Sequence, residues 1–251
     1  DLNGANGGTG FEPWDIVVDG QGGWAGCGIL DSARAGLAMG EAFGYVGKVG
    51  FVEMNRSFGR ALATGDIFEL DFGVNWDSDT GNKGFSLFAG TTEVVKVNHG
   101  GYPGEVHVNG VVALANYGTN AMHWTFTQTA ANEVQIDAAG RDGVETFTTT
   151  VSNAGALDRV QFYSRGLPND APDSRQSYAN NLKLTLGGDP LVTNPQLIIS
   201  GSKDLYFAQP AEYTVRRSGP VGDVVTLSSS ATGVLTVPAT ATFANPTTNA
   251  L

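Results

Sequence analysis

The sequence predicts an all-β protein built of two packed antiparallel sheets, followed by a second, small β unit. Three observations carry that expectation. Thirty-five glycines stand among few charged residues (16%), a composition that suits short strands and tight turns better than helices. Apolar and polar residues alternate with period 2 in segment after segment, and Asn/Gly/Asp turn signals separate those segments. With 251 residues and 41% hydrophobic content the chain can bury a sizeable core.

The first clear strand is DIFELDFGVNW, where Phe68, Leu70, Phe72, Val74 and Trp76 alternate with Glu69, Asp71, Gly73 and Asn75, giving one apolar and one polar face. Its extension, FELDFGVNWDSDTGNKGFSLFAG (68–90), reads as a hairpin across an acidic, Gly-containing turn, with a calcium loop as the second reading. In GEVHVNGVVAL, Asn109-Gly110 stands between two β-branched runs and predicts a type I′ hairpin. MHWTFTQT follows, with Met122, Trp124 and Phe126 on one face, then EVQIDA, VETFTTTV, DRVQFYSR and NNLKLTL. About a dozen such strands argue for a jelly-roll or concanavalin-like sandwich over residues 1–186. SARAGLAMGEAFG is the best helix candidate, but Gly36 and Gly40 interrupt it and a strand pair fits equally well.

Gly and Pro cluster in GGDPLVTNP (187–195), where the periodicity resets, which marks a linker. The remainder, 196–251, is a different unit. Its YTVRRSG, GDVVTLSSS and LTVPATATF phrases resemble the first half of a Calx-beta-like or immunoglobulin-like bacterial surface repeat. Such a fold runs to about 100 residues, so these 56 leave it incomplete, by a cut or by completion from a neighbouring molecule. Residues 56–90, RSFGRALATGDIFELDFGVNWDSDTGNKGFSLFAG, resemble a stretch of large secreted bacterial surface proteins, which implies a glycan-facing or adhesive sandwich.

A net charge of −11 sets nucleic acid and anionic membrane surfaces aside as partners and suits divalent cations and neutral sugars. No apolar run approaches the ~20 residues of a membrane span, so membrane insertion is not expected. The start at Asp1, without Met, fits a mature form after signal cleavage or a trimmed chain, and the composition points to a secreted or cell-surface bacterial setting. Cys27 has no intramolecular partner, and His99, His107 and His123 show no metal-ligand spacing and no triad context, so they read as ordinary polar positions.

Glu69 and Asp71 share a strand face as glycosidase carboxylates do, but Phe72 and Gly73 supply no further acid, so the pair reads as solvated carboxylates and only weakly as catalytic. Asp77, Asp79 and Asn82 could hold calcium through alternating oxygen ligands. Trp24 and Tyr102, in Gly-rich loops without periodicity, are the expected sugar-stacking residues, whereas Trp76 and Trp124 belong to the core. The expectation from sequence is therefore a non-catalytic, carbohydrate-binding or adhesive module whose partner is a polysaccharide or surface glycan. The alternatives are a structural filament or matrix subunit that self-associates by strand complementation, and a glycan hydrolase whose missing acid comes from a distant strand.

Overall fold

The computed structural model describes residues 3–6, 8–75, 80–99, 104–115, 121–140, 145–152, 154–172 and 175–187, together with the backbone of four later strands. The chain divides into two units, Asp1–Gly188 and Asp189–Leu251.

The first unit holds β1 (Phe11–Asp19), β2 (Ala25–Asp31), β3 (Glu41–Gly47), β4 (Phe51–Phe58), β5 (Ile67–Gly73), β6 (Asn82–Ala89) and β7 (Thr92–His99). It continues with β8 (Val106–Val108), β9 (Val111–Leu114), β10 (Met122–Ala130), β11 (Glu133–Ala139), β12 (Thr146–Ser152), β13 (Arg159–Arg165) and β14 (Ser177–Thr185). Sheet A runs in the order β1-β4-β13-β6-β7-β8-β9, and sheet B in the order β12-β11-β10-β5-β14-β3-β2. All named strand pairs within them are antiparallel, so the result is the two-sheet sandwich that the alternation predicts.

Inward residues of the two sheets interdigitate as an aromatic core. Phe85 of sheet A meets Phe72 and Trp124 of sheet B at centroid distances of 5.4 and 5.7 Å, both edge to face, and Tyr45 meets Phe162 at 5.9 Å. Met122, Trp124 and Phe126 are all buried, which places Trp124 in the core as the period-2 pattern requires. The Asn109-Gly110 turn joins β8 to β9 with φ of 50° and 83°, the positive pair that a type I′ turn needs.

The segment 68–90 is not a hairpin. β5 lies in sheet B and β6 in sheet A, so the connection crosses the sandwich instead of turning back in one sheet. Both flanking strands present Phe to the same core from opposite sides, and burying Phe72 and Phe85 against each other requires the crossing. The 32–44 segment resolves into a 3-10 turn, Ser32–Ala35, and the strand β3. Asp31 caps that turn by accepting a hydrogen bond from Ala33 N (3.0 Å), and Gly36 closes it at φ 67°.

In the second unit β15 (Leu197–Gly201) pairs with β16 (Tyr213–Arg217), and β17 (Val224–Thr226) with β18 (Thr240–Thr242), both antiparallel. Among the described residues no helix is long and apolar enough to cross a membrane.

Candidate functional site

Period 2 sends Phe68, Leu70 and Phe72 of β5 inward, and so Glu69 and Asp71 project from the outer face of sheet B. The neighbours of β5 decide what those carboxylates meet. On β10, His123 lies opposite Asp71 and Thr125 opposite Glu69; on β14, Lys183 lies opposite Glu69. The β14 register shifts between Asn180 and Lys183, and Asn181 sits there in the left-handed region at φ 52°. Asn180 Oδ1 accepts from Asn181 N (2.9 Å), the local contact that lets Asn hold this conformation. The bulge turns the Asn181 side chain toward Asp71.

The three strands assemble a connected row. His123 Nδ1 is 2.8 Å from Asp71 Oδ1, and Asn181 Nδ2 donates to the other oxygen of Asp71 at 2.6 Å. His123 Nε2 faces Glu69 Oε1 at 3.6 Å and Thr125 Oγ1 at 3.4 Å, while Lys183 Nζ donates to Glu69 Oε2 at 2.7 Å. With Nδ1–H donating to Asp71, the imidazole is fixed in orientation and its Nε2 is turned to the second carboxylate. The His123 side chain is 50% exposed, against 22% and 21% for Glu69 and Asp71, so the proton-carrying ring is the reachable part of the row.

A third carboxylate stands on the same face. Thr125 pairs with Glu69 on one side and with Asp137 of β11 on the other, which sets the two acids two strand spacings apart, roughly 9–10 Å between backbones. Asp137 accepts from Thr148 Oγ1 (2.7 Å) and Gln135 Nε2 (2.8 Å). Beyond Phe72 and Gly73 along β5, the register across the sheet thus brings Asp137 and the His123 ring onto the face that carries Glu69 and Asp71. A cavity of about 230 Å³ adjoins the row at the β14 bulge, where Asn180 and Asn181 line it together with Trp14, Phe43 and Arg56.

Of the other candidates read from the sequence, Trp24 and Asn82 are described and do not join this row. Trp24 is 52% exposed and has Lys48 Nζ 5.9 Å from its ring centroid, but it leads into β2 at the edge of sheet B, with β3 and β14 between it and β5. Tyr102, Asp77, Asp79 and Trp76 lie outside the described residues, and Asn82 opens β6 in sheet A as an exposed residue. Among the described residues no group of three or more His, Cys, Asp or Glu side chains is arranged to hold a metal. Cys27 is half-buried against the core, and burial pushes its thiol pKa up, which suits a packed residue better than a nucleophile. His99 and His107 are buried in sheet A and contact Glu105, at its carbonyl and its carboxylate respectively. His123 is the residue that sequence reasoning passed over. Its signal was the Asp71 register partnership, which appears only once β5 is known to pair with β10.

No protein-family model and no curated protein matches the chain. Among solved structures, an alginate lyase from Corynebacterium sp. is similar at a TM-score of 0.45 with 11% identity, over 63% of this chain and 80% of that one. An alginate lyase of polysaccharide lyase family 7 follows at 0.43 and 9%, over 59% and 80% of the two chains. A β-porphyranase from the human gut bacterium Bacteroides plebeius gives 0.28 and 11%, over 53% and 67%. These likenesses are ones of fold, and the activities in those names belong to those proteins. The expectation of a non-catalytic binding or adhesive module, and of no enzymatic activity, is nonetheless corrected here. The face read as two solvated carboxylates holds an oriented imidazole between them.

Proposed function

We propose that the chain is a glycan-degrading enzyme, a secreted or cell-surface hydrolase that cleaves a polysaccharide across the outer face of sheet B. The observation that carries this reading is His123 bound at Nδ1 by Asp71 and turned at Nε2 toward Glu69. Hydrolysis of a glycosidic bond needs one group to give a proton to the leaving oxygen and another to take one from water. His123, protonated and paired with Asp71, gives its Nε2 proton to the leaving oxygen. Glu69, with Lys183 on Oε2, takes the proton of the attacking water at Oε1. Asp71 and Asn181 are positioning residues, since they hold the ring in place and need not touch the sugar. A large polymer is met outside the cell, in keeping with the secreted or surface setting.

The test is incubation with a panel of neutral and acidic polysaccharides, following both new reducing ends and the ultraviolet absorbance of unsaturated sugars. New reducing ends without absorbance, lost in Glu69→Gln and His123→Gln, are the expected result. Cleavage with absorbance would replace hydrolysis by elimination at the same row. Reducing ends formed equally by the Glu69→Gln chain would remove Glu69 from the chemistry.

A further inference from the structure

The outer face of sheet A carries a second constellation that the hydrolytic row does not use. Tyr163 of β13 lies opposite Gly84 of β6, whose missing side chain lets the ring cross to β7, where the hydroxyl reaches Val97 O (3.1 Å) and Asn98 Oδ1 (3.0 Å). A Cβ on Gly84 would press on Val97 O and the Tyr163 hydroxyl. Two cations sit over the ring: Lys96 Nζ at 5.6 Å from its centroid and Arg165 Cζ at 5.0 Å. Arg165 also pairs with Glu53 (2.7 Å). In a chain with 14 basic and 25 acidic residues, the outward positions of β13 read Arg159, Gln161, Tyr163, Arg165 and contain no carboxylate.

An independent observation points to a ligand. Ser86 is fully buried on this face, opposite Gln161 on β13 and Lys96 on β7, and among the described residues its hydroxyl has no hydrogen-bond partner. Gln161 turns the other way, giving its amide to Asn55 (3.1 Å) and Glu53 (3.3 Å). A buried hydroxyl without a partner is unfavourable unless something supplies one.

We propose that this face is a binding site for the acidic group of an anionic glycan, a carboxylate or sulfate held between Lys96 and Arg165 on the Tyr163 ring and hydrogen-bonded by Ser86. Tyr163 is the floor that seats the two cations, and its own links to β7 keep it there. The site goes beyond the hydrolytic row and does not depend on it.

The experiment measures binding of polygalacturonate, a sulfated galactan and a neutral β-glucan to the full chain carrying Glu69→Gln, by calorimetry at low and high salt. The expected result is binding of one or both acidic polymers, weakened by salt, with Kd raised about tenfold or more in Lys96→Met and in Arg165→Met. Preference between the two acidic polymers assigns the carboxylate or the sulfate. Ser86→Ala supplies the readout that a structural role would not give: affinity falls several-fold while Tm stays level or rises, because an unpartnered hydroxyl has been removed. Equal binding of the neutral glucan, or acidic-polymer binding unchanged in Lys96→Met and Ser86→Ala, would overturn the proposal. Its failure leaves the cleavage assay untouched, and loss of cleavage in His123→Gln leaves this binding untouched.

Discussion

The outer faces of the two sheets are built on one core and put their polar residues to opposite uses. On sheet B the row is open, with His123 half in solvent between Asp71 and Glu69. On sheet A the central side chain, Tyr163, is buried under Lys96 and Arg165 and tied to β7 by its hydroxyl. The difference follows from the neighbour strand. Opposite Asp71 stands a side chain that can carry a proton, whereas opposite Tyr163 stands Gly84, which leaves room for a ring to lie down. One face leaves an imidazole open to solvent between two carboxylates, and the other lays a buried ring beneath two cations.

The strongest way to break the comparison is to remove what both faces share. Phe85 touches Phe72, Trp124, Phe126 and Phe162, so Phe85→Ala should destabilise the first unit by about 3–5 kcal/mol in urea unfolding and abolish both functions together. The faces separate at the next level. Asp71→Asn keeps the shape but weakens the hold on His123, and cleavage should fall by roughly 10²–10⁴ with affinity for acidic polymers unchanged.

Alkaline titration sharpens the contrast between a buried and an open site. Burial raises the pKa of Tyr45, whose hydroxyl donates to Gly84 O, and of Tyr163, where Glu93 adds to the effect and Arg165 opposes it. The unfolded chain ionises its tyrosines near about pH 10, whereas the folded one resists, so this contribution is fully present below that pH and is lost as pH rises above it. Urea midpoints should therefore drop on the alkaline side of about pH 10, and the drop should shrink in Tyr163→Phe. The smallest effect is expected from Lys183→Met. Its ammonium is mostly exposed and screened, so stability should change by less than about 1 kcal/mol while cleavage falls a few-fold, read as Tm against kcat.

The legible and illegible parts of the molecule divide along the same line as local and non-local contacts. The strand at 67–73 was readable because Phe68, Leu70 and Phe72 alternate with polar residues, and the turn at Asn109-Gly110 because its positive φ pair favours those two residue types. The supposed hairpin of 68–90 failed because period 2 tells which side of a strand is apolar and not which sheet it joins. The Glu69/Asp71 pair was visible, but its partners lie 52 to 114 positions away along the chain, and the nearest sequence neighbours misled by offering no acid.

The sequence alone therefore determined the all-β class, the inward set of apolar residues and the sharing of one face by Glu69 and Asp71, because each depends on backbone geometry within a few residues. Tertiary structure decided that β10 and β14 flank β5, that a bulge turns Asn181 onto Asp71, and that His123 stands between two carboxylates. The physical reason is that strand order is chosen by burial of the whole core, a sum over Phe72, Phe85, Trp124 and their neighbours to which no single segment holds the answer.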